Sequence, residues 1–182
     1  MDASLTDRYH VITGGPGAGK TMLITALATE GLAAMPEAGR AIIQDQLTAG
    51  GTALPWADRA SFAEIMLASE LRAHEAAAAM PGPVLFDRGV PDVVGYLTLC
   101  GLPIPSHVQR AAERVRYNRR VFIAPPWPEI YVTDTERKQS LAEAEATYHA
   151  MRTVYSSLGY ALVELPRAPL AERVGFVRAL IG

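Results

Sequence analysis

The sequence predicts an α/β fold, a parallel sheet covered by helices on both faces. Three observations carry the prediction. Short apolar runs alternate with helix-spaced segments along the whole chain. The runs are continuous rather than alternating, as in strands buried on both faces (Val84-Leu85-Phe86 and Val121-Phe122-Ile123-Ala124 are the clearest). The first run, Tyr9-His10-Val11-Ile12-Thr13, passes through a glycine-rich turn directly into a helix.

The elements follow in order. After the first strand and turn, Leu23, Ile24, Leu27 and Ala28 fall at helical spacing over residues 22–29, and Gly31 ends that helix. Leu32-Ala33-Ala34-Met35 is a weak second strand, followed by a helix that Pro36-Glu37 opens and Gly50-Gly51 breaks. A long helix is expected over residues 58–79, with Phe62, Ile65, Met66 and Ser69 on one face and an Ala-rich end stopping before Pro81-Gly82-Pro83. The strand 84–86 meets a loop at Asp87-Arg88-Gly89, and Pro91 opens a short helix. Residues 106–117 are helical, 121–124 a fourth strand. Leu141, Ala144, Tyr148, Met151, Tyr155 and Leu158 mark the clearest amphipathic helix. Gly159 caps it, 161–165 form a fifth strand, and Leu170, Val174, Val177 and Ile181 line a last helix. No internal repeat or linker interrupts residues 1–182, so one domain is expected.

Composition narrows the function classes. A chain of 182 residues can bury roughly 70% of its unfolded surface. With 17 basic and 19 acidic residues it carries no global attraction to nucleic acid or anionic membrane. One cysteine, Cys100, excludes an internal disulfide framework and sits in an apolar run where a buried, inert thiol is expected. Neither a secretory signal nor a membrane-span-length apolar stretch is visible, so a cytoplasmic location is the default. The histidines show no ligand spacing, and no zinc site is expected.

The turn Gly14-Gly15-Pro16-Gly17-Ala18-Gly19-Lys20-Thr21 matches the phosphate-binding pattern G-x-x-x-x-G-K-[ST] in full, in its strand–loop–helix setting. Glycines let the backbone amides of Gly15, Pro16's neighbours, Gly17, Ala18 and Gly19 turn inward onto phosphate oxygens, and the next helix adds its positive end. Lys20 can reach the β- and γ-phosphates and the Thr21 hydroxyl can bind Mg²⁺. A nucleoside triphosphate ligand, ATP with Mg²⁺, is the expectation.

In an open parallel sheet, ligands sit at the strands' carboxyl ends, so polar residues there carry weight. Asp87 follows its strand as a metal-binding carboxylate does. It would hold Mg²⁺ through a water or act on an acceptor hydroxyl; the alternative is a helix N-cap. Arg88 could clamp a phosphate or carboxylate with its fork, or form a surface salt bridge. Glu37 is a candidate general base, with Arg40 a turn later on the same face, or it complements a helix dipole. Asp134-Thr135-Glu136-Arg137-Lys138 would form a lid near residues 128–138, with Arg137 or Lys138 closing on the phosphates; Asp134 or Thr135 could equally cap the next helix. The arginines at 110, 114, 116, 119 and 120, with Tyr117 among them, are a solvated face or a wall around an anionic substrate, and the balanced overall charge argues against the alternative of a nucleic-acid patch. Trp56 and Trp127 are expected to pack in core or loop.

The phosphate loop, Pro36-Glu37-Ala38-Gly39-Arg40, Leu54-Pro55-Trp56, Phe86-Asp87-Arg88-Gly89 with Pro91-Asp92, Pro125-Pro126-Trp127, Glu136-Arg137-Lys138-Gln139 and Leu158-Gly159-Tyr160 together resemble a family of small bacterial AAA-type ATPases. That family is grouped with P-loop kinases similar to the nicotinamide riboside kinase domain. The resemblance implies a three-layer α/β/α P-loop fold, a five-stranded sheet of order 2-3-1-4-5 and a lid after the fourth strand. It also implies a Glu…Arg pair at Glu37 and Arg40 and an Asp-x-x-Arg lid element at Asp134 and Arg137. The chain is short for the helical lid domain of ring-forming AAA machines and shows no sensor-arginine arrangement. The expected activity is transfer of the γ-phosphate to a small, nucleoside-like acceptor. A nucleotide-dependent switch or accessory ATPase working through a protein partner is the alternative.

Overall fold

The computed structural model describes residues 3–130 and 141–182. Five strands form one parallel sheet: β1 (Tyr9–Gly14), β2 (Ala33–Met35), β3 (Val84–Asp87), β4 (Arg120–Ala124) and β5 (Ala161–Glu164). Their spatial order is β2-β3-β1-β4-β5. This is the predicted architecture and the order that the family resemblance implied. Central β1 pairs with β3 from Tyr9↔Val84 and with β4 from Ile12↔Phe122, so its end at Gly14 lies mid-edge.

The helices are α1 (Ala3–Thr6), α2 (Lys20–Thr29), α3 (Ala38–Ala49), α4 (Arg59–Ala76), α5 (Val90–Leu99), α6 (Ser106–Arg114), α7 (Leu141–Ser157) and α8 (Leu170–Ile181). Alternate residues of the strands feed opposite cores, as a pleated strand requires. Ile12, Leu85 and Phe122 pack under α2 and α8, with Leu23, Leu27, Val174 and Val177. Tyr9, Val11, Phe86, Val121 and Ile123 pack under α7, with Met151 and Tyr155. A further cluster joins α4, α5 and α6 through Phe62, Met66, Val93, Leu97 and Val108. His10 is buried in β1. Burial, helped by the Arg120 charge, pushes it down to about 4, so the ring is a neutral core group.

Boundaries differ from the sequence prediction in instructive places. The long helix stops at Ala76 and closes in a single 3₁₀ turn, Ala77–Ala79; Asp58 caps its start by accepting from the Ser61 amide. The buried stripe of α4 comprises Phe62, Ala63, Met66, Leu67 and Glu70, while Ile65 and Ser69 are only half-buried. Helix α6 ends at Arg114 because the chain straightens at Val115 to lead into β4. Cys100 is the half-buried C-cap of α5 rather than a core thiol. Trp56 is 63% exposed and packs in neither core nor loop. Arg119 and Arg120 stand where β4 begins, at the edge opposite the glycine turn, so they wall no pocket there. Arg116 instead stacks on the Tyr160 ring and donates to the Leu158 carbonyl.

Candidate functional site

Gly14 ends β1 with φ 125°, and a Cβ there would strike the Ala124 carbonyl of neighbouring β4. Only glycine lets the chain turn at that point. The turn closes at Gly19, which holds the left-handed conformation and acts as N-cap of α2. The first amides of α2 therefore open onto the turn, together with the helix's positive end. Lys20 is 6% exposed; its Nζ donates to the carbonyls of Gly14 (3.0 Å) and Gly15 (2.7 Å). Burial, then the like charge of Arg88, lowers its pKa to about 8. Thr21 is exposed at the mouth.

Beside this turn stands a charge cluster drawn from separated parts of the chain. Arg88 follows β3 with φ 77°, in the left-handed region that costs a non-glycine residue about 1–2 kcal/mol. The bend turns its side chain back over the sheet edge. Nε donates to Glu37 Oε1 (3.0 Å), and one Nη donates to the Gly14 carbonyl (3.2 Å) and to Asp92 Oδ1 (3.3 Å). Asp92 is buried in the first turn of α5 and is fully partnered. It accepts from Thr13 Oγ1 (2.6 Å), Tyr155 OH (2.6 Å) and the Gly89 amide (3.1 Å), besides Arg88. β1, β3, α5 and α7 are thus tied at one point beneath the turn. Buried charge is tolerable only when paired and hydrogen-bonded in this way.

Glu37 occupies the N-cap position of α3, yet its carboxylate makes no cap bond and reaches Arg88 instead. Burial opposes its charge, but the Arg88 and Lys20 cations and the Arg88 hydrogen bond outweigh burial and hold the carboxyl below its ordinary range. Asp87 differs. It ends β3, its Oδ1 is buried without a hydrogen-bond partner, and burial raises its pKa despite the nearby Lys20. Gly89, not Asp87, is the N-cap of α5, so the capping alternative for Asp87 is excluded. The surface-salt-bridge alternative for Arg88 falls too, since its side chain is only 15% exposed. A cleft of about 530 Å³ opens along these groups. It is lined by Thr21, Ile24, Thr25 and Ala28 of α2, by Ala34, Met35 and Pro36, and by Glu37, Arg40 and Asp87.

Glu70 of α4 is a fourth carboxyl facing the cluster. Burial, reinforced first by the Asp92 charge, pushes it up to about 8. Sequence reasoning singled out neither Glu70 nor Asp92 as functional. A charged residue beside the apolar stripe of α4, and an acid just after the Pro91 helix start, are the only traces of them in the sequence. Asp134, Arg137 and Lys138 lie outside the described residues. Within the predicted lid segment, Pro128–Ile130 form a single 3₁₀ turn.

A parallel sheet of order 2-3-1-4-5 with a glycine turn feeding α2 at its centre defines a P-loop protein of nucleoside-kinase architecture. A family profile described as an AAA domain matches residues 9–173, and the chain belongs to that family. Comparison with curated proteins found no match. Among solved structures, deoxyadenosine kinase from M. mycoides with products dCMP and dCDP is similar, with TM-score 0.67, 10% identity, and coverage of 94% of this chain and 97% of that one. NadR protein in complex with NR is similar over 97% of this chain, with TM-score 0.70 and 17% identity. NadR with NAD and AMP-PNP gives TM-score 0.67 and 15% identity over 96% of this chain. This chain spans about half of NadR, 52% and 49% in the two complexes. At these identities the likeness is one of fold.

Proposed function

We propose that this protein is an ATP- and Mg²⁺-dependent phosphotransferase that moves the γ-phosphate of ATP to a small, nucleoside-like acceptor. One observation carries the reading. Glu37, kept ionised by Arg88, stands at the mouth of a cleft that the turn's Thr21 and the unpartnered Asp87 also line. A nucleotide switch has no use for a clamped carboxylate at that place.

In this reading the amides of Gly15, Gly17, Ala18, Gly19, Lys20 and Thr21, with Pro16 shaping the turn, cradle the phosphates, and Lys20 neutralises charge on the transferring group. Its two carbonyl contacts hold the ammonium over the turn and leave one N–H for an incoming oxygen. A hard cation fits beside Asp87, whose buried oxygen has no proton donor; Asp87 and the Thr21 hydroxyl would hold Mg²⁺, which supplies charge neutralisation when bound. Glu37 orients the acceptor hydroxyl and accepts its proton, Arg88 fixes Glu37, and Arg40 flanks the acceptor. Asp134, Arg137 and Lys138 are proposed to close over the phosphates. The acceptor class is proposed by analogy with the kinase and NadR complexes of the same fold, whose ligands include dCMP and NR.

The test is incubation with ATP, Mg²⁺ and a panel of nucleosides and nucleotides, reading phosphorylated product by mass spectrometry. One acceptor should be phosphorylated, and Lys20→Ala should abolish the product. Slow release of ADP and free phosphate alone, across the whole panel, would overturn the phosphotransferase reading in favour of a switch.

A further inference from the structure

One buried cation takes no part in the site described above. Arg173 stands four residues into α8, on the far side of the phosphate loop from Glu37, and is 3% exposed. Its guanidinium donates from Nη2 to the Ala18 carbonyl (3.1 Å) and from Nη1, at 3.5 Å, to the Gly19 carbonyl, which also accepts the Leu23 amide of α2. Its Nε has no partner, and among the described residues no carboxylate pairs with it. The ring of Trp127, at the exit of β4, lies 5.7 Å from the cation. The nearby N-terminus of α8 is the positive end of that helix, which makes the position worse for a cation. A buried charge so poorly compensated is expensive to keep unless it serves something.

We propose that Arg173 is a positioning residue that grips the outer carbonyls of the phosphate loop and thereby aims its inner amides at the ligand. The geometry is that of the planar trans peptide, in which a carbonyl and the next residue's N–H point in opposite directions. Fixing the Ala18 and Gly19 oxygens outward fixes the Gly19 and Lys20 N–H groups inward. Gly19 permits the grip: with φ 70°, a Cβ there would lie 2.7 Å from Arg173 Nη1. The second part of the proposal, that the missing counter-charge is a polyphosphate across the loop, rests on the nucleotide reading above.

The two parts separate experimentally. Hydrogen exchange on the ligand-free protein tests the grip without any nucleotide. Arg173→Met should speed exchange of the Leu23 amide, which donates to the gripped Gly19 carbonyl, at least tenfold while Leu27, deeper in α2, stays as protected as in the parent. Unchanged exchange at Leu23, or equal loss throughout α2, overturns the grip. Calorimetry with Mg·ATP and with tripolyphosphate then tests the counter-charge. Arg173→Met should weaken both ligands at least tenfold, Arg173→Lys should recover part of the loss, and the ligand-free melting temperature should not fall. Loss confined to ATP, or no loss, overturns the counter-charge, whereas a parent protein that binds neither ligand removes the nucleotide reading and leaves the exchange result standing.

Discussion

The phosphate side of this site is eight consecutive residues, 14–21, whose working groups are mainly backbone amides and one ammonium. The proposed acceptor side gathers Glu37, Arg88, Asp92, Thr13 and Tyr155 from separated parts of the chain, and its groups are side chains. The first depends on backbone shape, so its sequence requirement is local and dominated by glycine. The second depends on the sheet bringing strand ends together, so any one residue there matters through partners far along the chain. Damage to the two sides should therefore differ in kind.

Glu37→Gln breaks the acceptor side alone. It should lower the transfer rate by about 10²–10⁴ in single-turnover assays. ATP affinity should stay within a few-fold; a matching loss of ATP binding would erase the proposed division. Asp92→Ala attacks the tie between both sides. Breaking a buried, multiply bonded charge costs about 3–5 kcal/mol, to be read in urea unfolding, because it strands Arg88 and two hydroxyls at once. Lys20→Ala should leave stability almost untouched, since the same experiment sees removal of a buried cation bonded only to carbonyls.

The most diagnostic effect is a pH dependence. Glu70 binds its proton more tightly when folded, up to about 8, than in an unfolded chain. The folded state then holds more protons than the unfolded state between the ordinary carboxyl range and pH 8. Its contribution is complete at acidic pH and is lost as pH rises through that window, by up to about 1.4 kcal/mol per pH unit. Glu70→Gln should flatten this slope in melts run from pH 5 to 8. An unchanged slope would place the titration elsewhere in the cluster.

The same contrast explains what was legible in the sequence. The phosphate loop and the strand alternation could be read directly, because contiguous residues carry them. Asp87, Arg88 and Glu37 are marked as candidates by position, at strand ends, although their mutual arrangement is not legible there. Asp92 and Glu70 escaped because periodicity marks burial and not charge. Helical spacing makes Tyr155 one more apolar member of the α7 stripe, whereas its hydroxyl meets an acid in α5. Arg173 had no signal at all: its partners, Ala18 and Gly19, lie at the other end of the chain, and main-chain carbonyls leave no mark in a sequence.

The central placement of β1 has a consequence for how the protein is made. Its neighbours in the sheet are β3, met at Val84, and β4, met at Phe122, so β1 is paired on both sides only after synthesis has run on through Phe122. Until then the glycine turn hangs from an unsupported edge, and the nascent chain exposes an apolar ribbon from Tyr9 to Ile12. Slowed translation before position 124 would lengthen that exposure, and chaperone occupancy on stalled chains ending before and after β4 would measure it.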